Sequence, residues 1–555
     1  MKYGQRLAKR TKQWANRFSY GGLALGTLFY CFSLMPSLLP RPWFFQGILS
    51  GISLAIGYGI GTGLSSFIRW LTEKELPESV KQSAWRGLAI VAPAFALLYL
   101  WLGYGWQNEV RKLVGEPPYP SRHFILTLIT SLLIALLLLY IGRGLRRLGR
   151  FTQRQIDKLL PRRISYTLAG VLMVAFVFWI ISGVFANFFF STTDKIFSQK
   201  NNTTEAGIEQ PKSPDRSGSP ESYAKWDTLG YQGRTFVGRG PNVQQMTEFS
   251  GKPAKETIRV YAGLESAADP DARAQLIVKE LERTHAFDRK VLLIANTTGT
   301  GWLEPQSIDT LEYMYNGDTA IAAMQYSYLP SWISFLVDKD KATENGRNLF
   351  DAVYGAWAKL PADKRPKLYT YGLSLGSFGG QAAFSGVNGM RNTVDGALLV
   401  GTPNDTDLWR NVTAHRDPGS PEWQPVYKGG VGVRFAATDQ DINQNQDKWQ
   451  QPRILYVQHG SDPIVWFNFA NAFHEPDWLR EPRAPDVSPN MNWYPIVTFW
   501  QITIDQIFGV NVPAGHGHNY GNTAAASWAA VTQPEGWTEA NTQKLQKIID
   551  SYAIE

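Results

Sequence analysis

The stretch Lys367 to Gly380 reads KLYTYGLSLGSFGG. Lys367 to Tyr371 is a short β-branched and aromatic run, Gly372-Leu373-Ser374-Leu375-Gly376 has the Gly-x-Ser-x-Gly spacing of a nucleophile elbow, and Ser377 to Phe384 has the composition of a following helix. Such a turn lifts a serine hydroxyl clear of a sheet, and glycines two residues to either side let strand and helix close together. A neutral serine is a poor nucleophile. It needs a histidine to take its proton and a carboxylate to orient that histidine and stabilise its charged form.

Seven histidines limit the choice of base. His123 lies on the apolar N-terminal side, His285 ends a predicted helix, His415 and His474 sit in loops without pattern, and His459 precedes the aspartate beside it. His516 and His518 remain, in the glycine-rich loop Val512 to Tyr520. The acid is expected at Asp462, on the turn after the run Leu455 to Val457, with Asp405 and Asp407 as alternatives. Taken singly, an aspartate before Pro463 starts turns and loop histidines are solvated. Together with the elbow, the chain order serine, acid, histidine favours a catalytic triad.

The elements around these residues alternate. Strands are expected at Thr257 to Tyr261, Val291 to Ile294, Thr319 to Met324, Lys367 to Tyr371, Gly396 to Val400 and Arg453 to Val457. Helices are expected at Ala272 to His285, Glu304 to Tyr315, Ala342 to Leu360 and Ser377 to Ser385. That alternation predicts a mostly parallel sheet with helices on both faces, with active groups on loops at the carboxyl ends of its strands.

The N-terminal part is different in kind. Of 555 residues, 44% are hydrophobic, and five apolar runs approach the roughly 20 residues a membrane helix needs. They are Phe18 to Met35, Phe44 to Ile68, Gly87 to Tyr104, Phe124 to Ile141 and Leu168 to Phe190. Lysines and arginines concentrate before the first run, between the second and third, and from Arg143 to Arg163 after the fourth. This predicts a multi-pass protein of the cytoplasmic membrane with a cytoplasmic N-terminus, and five crossings would make the C-terminal domain extracytoplasmic. Topology accounts for the net charge of +8 better than nucleic acid does, since no nucleic-acid-reading motif accompanies it. The middles of the runs hold no Asp, Glu, Lys or His, which argues against an ion pathway. Glycines from Gly47 to Gly63 allow close packing of the second helix, within the bundle or between protomers of a homo-oligomer. Leu145, Leu148, Ile156 and Leu159 share one helical face among arginines, as in an interfacial helix beside membrane lipids. Residues 199–222, rich in Asn, Ser, Pro and charge, read as a flexible linker between a transmembrane domain (1–198) and a catalytic domain (223–555). The single cysteine, Cys31, permits no intrachain disulfide.

The Ser374 elbow, the Asp462 turn and the His516 loop resemble the α/β-hydrolase superfamily from Tyr261 onward. With the five runs, the phrases Trp226 to Gly230, Thr297 to Trp302 and Gln325 to Trp332 resemble bacterial membrane-anchored α/β-hydrolases over nearly the whole chain. The resemblance implies an α/β-hydrolase fold and hydrolase chemistry, and it brings no substrate with it. It favours His516 over His518, because Gly515-His516-Gly517 is similar to the histidine loop of many such enzymes. It also implies an oxyanion hole from the backbone of Leu375 and of a loop after an early strand, here Thr297 or Thr298. That loop departs from the His-Gly-Gly phrase of many lipases.

Residues 403–451 make a long excursion of the kind that forms lids, with Trp409, Trp423, Tyr427 and Trp449 as aromatic surface. Tyr326, Tyr328, Trp332 and Phe335 are expected on the same face as Ser374. Apolar walls beside a nucleophile tethered to a bilayer suggest a lipid-like acyl ester. The expected activity is a serine esterase or lipase. An acyltransferase would use the same triad, and a non-catalytic scaffold would keep the fold without it. No metal cluster or dinucleotide fingerprint is visible, so no cofactor is expected.

Overall fold

The computed structural model describes residues 18–73, 77–180, 197–444 and 447–552. The chain forms two compact units, one of residues 1–189, 469–479 and 487–508 and the other of 190–468, 480–486 and 509–555.

The first unit is helical: α1 (Tyr20–Ser33), α2 (Trp43–Thr72), α3 (Glu78–Leu113), α4 (Phe124–Ile156) and α5 (Arg162–Phe178). Only α2, α3 and α4 are long and apolar enough to cross a membrane, so the expectation of five spans is not met among the described residues. Helix α1 has 14 residues, roughly 21 Å at 1.5 Å each, against the ~30 Å of a hydrocarbon core. It ends ahead of Pro36, Pro40 and Pro42, where a helix loses its amide donors. The fifth expected run continues past residue 180, outside the described residues. Helix α4 runs on through Ile156, so the expected interfacial segment continues the preceding apolar run.

The glycines of α2 act within this unit. A Cβ on Gly57 would meet Leu25 O and Phe29, one on Gly51 would meet Ser131 O and Ile134, and nothing lies near Gly59 or Gly63. The helix Val497–Asp505, from late in the chain, packs on α1 and α2. Its Asp505 forms an ion pair with Arg41 at 2.9 Å, both side chains fully buried. Asp505 Oδ2 also accepts from Ser37 Oγ and from the amides of Leu38 and Leu39. Segments 469–479 and 487–508, expected in the catalytic domain, therefore belong to the helical unit.

The second unit is an α/β fold around a seven-stranded sheet: β1 (Ile258–Ala262), β2 (Val291–Asn296), β3 (Thr319–Met324), β4 (Lys367–Leu373), β5 (Gly396–Val400), β6 (Val433–Ala436) and β7 (Arg453–Val457). The order is β1-β3-β2-β4-β5-β7-β6, and every pair is parallel. Strands β2 and β3 are buried at every residue, as a sheet covered on both faces requires. Val291, Leu293 and Ala295 share a core with helices Pro305–Met314, Ala524–Thr532 and Glu539–Ile549. Helices Pro270–Arg283 and Lys339–Ala358 pack on each other and on β3.

Two expected segments fold differently. The linker 199–222 is held in place: Ser217 N bonds Arg259 O, and Ser217 Oγ and Ser222 Oγ both donate to buried Glu280. Its serines and Arg216 find fixed partners, which gives a polar stretch the enthalpy to stay ordered. The excursion 403–451 supplies edge strand β6, and Trp409 and Trp449 are buried, so much of it is framework rather than lid.

Candidate active site

Strand β4 ends at Leu373 and a helix begins at Leu375, leaving Ser374 alone in the turn with φ 55° and ψ −123°. That conformation is strained for a residue with a side chain, and it is the one a nucleophile elbow imposes. Close approach explains the flanking glycines. A Cβ on Gly372 would strike the backbone of Gly376 and Ser377, and one on Gly376 would strike Asn296 O. Ser374 N donates to Val400 O at 2.9 Å, which ties the turn to the end of β5.

Two strands along, the turn after β7 carries Asp462, fully buried. Its Oδ1 accepts from the amides of Ile464 (2.8 Å) and Val465 (3.4 Å). Its Oδ2 meets His518 Nδ1 at 2.6 Å and accepts from the Tyr520 hydroxyl at 2.6 Å. The His518 ring lies over the end of β5, since a Cβ on Gly401 would come 2.6 Å from its Cε1. Strand β5 sits between β4, which bears Ser374, and β7, which leads to Asp462. With Nδ1 turned to the aspartate, Nε2 is left buried and without a hydrogen-bond partner among the described residues.

The histidine beside Asp462 is therefore His518 and not the favoured His516. Residues 515–519 form a tight reversal, with Gly515 N bonded to Asn519 O and Asn519 N to His516 O. Gly517 N is pinned to Ser461 Oγ at 2.8 Å. His516 consequently stands opposite Asn519 on the other arm, and its Nδ1 meets no partner among the described residues. Asp405 pairs with Lys339 and Asp407 with Arg410, so neither alternative acid meets a histidine.

The loop after β2 approaches the elbow at Asn296 O. Thr298 N donates to Trp302 O at 3.0 Å and is already engaged. Thr297 differs. Val291 N bonds Asp318 O, and continuing that alternation along β3 would give Met324 O to the Thr297 amide. Met324 O instead accepts from the Thr297 hydroxyl at 2.7 Å, which leaves the amide outside the ladder. Leu375 N opens a helix and has no intrahelical acceptor.

Sequence reasoning missed two side chains behind the pair. Tyr520 stands edge-on to His518, with ring centres 5.5 Å apart, and stacks on His459 at 4.2 Å. His459 Nδ1 faces Gly517 O at 2.9 Å, and its Nε2 is buried without a partner. Burial lowers the pKa of His459, opposed by Asp486, the Gly517 carbonyl and Asp462 and helped by His516. The one signal for Tyr520 was its place two residues after a candidate base. Of the aromatic group after β3, Tyr326 and Phe335 are buried, and Tyr326 accepts from Gly299 N through its hydroxyl at 2.8 Å. Tyr328 is half-buried, and the Trp332 side chain lies outside the described residues.

A family model described as "Alpha/beta-hydrolase family" matches residues 258–545, and one described as "Alpha/beta-hydrolase family N-terminus" matches residues 34–241. No curated protein and no solved structure matches the chain.

Proposed function

From the premise that this chain belongs to that α/β-hydrolase family, we propose that it is a membrane-associated serine hydrolase acting on an acyl ester. Ser374 Oγ attacks the ester carbonyl while His518 Nε2 takes the hydroxyl proton. Asp462 holds Nδ1–H and stabilises the imidazolium. The carbonyl oxygen gains the negative charge of the tetrahedral intermediate, which the amides of Leu375 and Thr297 receive. As the intermediate collapses, His518 gives the proton to the leaving alcohol and an acyl-serine remains. Water, deprotonated by the same imidazole, then releases the acid and restores the serine.

The observation that carries this reading is the 2.6 Å contact of His518 Nδ1 with buried Asp462, with the ring at Gly401, at the end of the strand next to β4, and Nε2 left without a partner among the described residues. Three helices long and apolar enough to span a bilayer make a lipid-like acyl group a reasonable substrate. With the arginines between Arg143 and Arg163 taken as cytoplasmic and the apolar run Leu168 to Phe190 as one further crossing, the charge pattern supports a hydrolase unit on the outer side of the cytoplasmic membrane.

The test is labelling of the detergent-solubilised protein with a fluorophosphonate. Wild type takes up the probe, and Ser374→Ala and His518→Ala do not. A wild type that stays unlabelled while a control hydrolase reacts would sink the proposal.

A further inference from the structure

Buried arginines in the second unit are well supplied with acceptors. Arg259 binds Asp309 and Glu312, Arg216 binds Val237 O and Arg239 O, Arg234 binds Asn201 O and Thr203 O, and Arg434 binds Gly430 O and Ile442 O. Arg273 departs from this pattern at its Nη atoms, while an unpartnered buried Nε is a feature it shares with Arg234. It is 6% exposed, yet its guanidinium has one long contact, Nη1 to Ala267 O at 3.5 Å, and its buried Nε has no partner among the described residues. Asp269 and Glu344 act on it only through space, and Asp269 Oδ1 is already committed to Ala272 N at 2.8 Å. A buried cation without a hydrogen-bonded anion is costly, because nothing replaces the water it has lost.

Arg273 lines a cavity of about 350 Å³ with Tyr326, Tyr328, Lys341 and Asn345, and with the exposed Glu344 at its edge. Asn345 Oδ1 is also buried and unpartnered. Leu264, just past β1, and Tyr326, just past β3, put this cavity at the carboxyl edge of the sheet, where the elbow also lies. Strands β3 and β1 are two and three positions from β4, or about 10 to 15 Å at ~4.8 Å per strand. Tyr326 joins the two places, because its hydroxyl accepts from Gly299 N of the loop that begins at Thr297.

We propose that this cavity is a subsite for an anionic oxo group, phosphate or carboxylate, carried by the ester substrate, with Arg273 as its receptor. The guanidinium offers its free N–H donors in the planar fork that suits two oxygens of such a group. Lys341, whose side chain is 60% exposed and paired with Asp338, adds positive charge at the mouth. Asn345 Oδ1 accepts from a hydroxyl on the ligand. The inference names the substrate class of the serine-hydrolase reading and rests on it. A lipid phosphate and a free phosphate ion share this chemistry.

The test is calorimetric titration of full-length Ser374→Ala protein in detergent with a short-chain phosphatidylglycerol and, separately, with inorganic phosphate. The lipid binds, adding Arg273→Met weakens binding at least tenfold, and Arg273→Lys recovers part of it. Binding of inorganic phosphate alone, with the same dependence on Arg273, makes this a free-anion site and overturns its assignment to the ester substrate. Failure of both ligands to bind, or binding indifferent to Arg273→Met, overturns the proposal. This readout needs no turnover, so it stays separate from a failure of fluorophosphonate labelling. In the active protein, Arg273→Met lowers kcat/KM for half-esters of dicarboxylic acids relative to neutral esters of equal length by about tenfold. An unchanged ratio argues against the subsite.

Discussion

Asp462 is engaged on both oxygens, by two amides on one side and by His518 and Tyr520 on the other. A carboxylate fixed this way holds the imidazole in one orientation and one tautomer. His518→Ala should reduce ester turnover by about 10³-fold or more, whereas His516→Ala should stay within about threefold of wild type. Equal losses in the two variants would mean that the geometry of the 515–519 reversal does not decide the base. Tyr520→Phe removes one charge-stabilising bond and leaves the ring stack, so kcat should fall by about tenfold with little change in KM. His459 adds a pH effect. Its pKa is lowered by burial, so below about pH 6.5 the unfolded chain binds the proton more readily than the folded one. Stability is full above that pH and is lost as the pH falls, by at most about 1.4 kcal/mol per unit. Thermal melts of wild type and His459→Gln between pH 7.5 and 5 should show a shallower acid slope in the variant.

The loop after β2 shows how one hydroxyl can set the use of a backbone amide. Thr297 Oγ1 at 2.7 Å, with Asn345 Nδ2 at 3.2 Å, occupies Met324 O, the acceptor that the ladder register would offer to the Thr297 amide. Thr297→Val keeps the shape and removes the donor. The amide is then free to join β3, and kcat should drop by about tenfold or more, with KM nearly unchanged, because an oxyanion donor acts only once charge develops. Thr297→Ser, which restores the hydroxyl, should recover most of the loss. The same element explains the strict need for glycine at 376, where any Cβ would push Asn296 and the whole loop away from Ser374.

At the scale of the molecule, the helical unit is closed by chain from the far end of the sequence. Asp505 and Arg41 are 464 residues apart, and both are fully buried. Asp505→Ala would strand the arginine inside the unit and should cost about 3–5 kcal/mol, read as a lower melting temperature in detergent. A normal melting temperature for that variant would show that Arg41 has another outlet. The sidedness of the hydrolase unit is checked by a cysteine introduced at exposed Glu282, in a Cys31→Ser background. A membrane-impermeant maleimide should label it in intact spheroplasts, whereas labelling only after lysis would place the unit inside.

The sequence by itself determined what depends on near neighbours. Six of the seven strands, the elbow at Ser374 and the turn at Asp462 were legible because period, glycine spacing and turn chemistry act over a few residues. Strands β3, β5 and β7 match the expected bounds residue for residue. The first span was misjudged for a local reason of another kind: hydropathy measures how apolar a run is, while prolines after Ser33 fix how long the helix can be. Tertiary structure alone decided the rest. His516 and His518 are chemically alike and two residues apart, and only the reversal pinned by Ser461 and Gly509 turns one of them to Asp462. The buried serines of 199–222, the edge strand β6 and the partner of Arg41 all depend on contacts made across long stretches of chain. Such contacts leave no periodic trace, because each is specified by two distant residues that become neighbours only on folding.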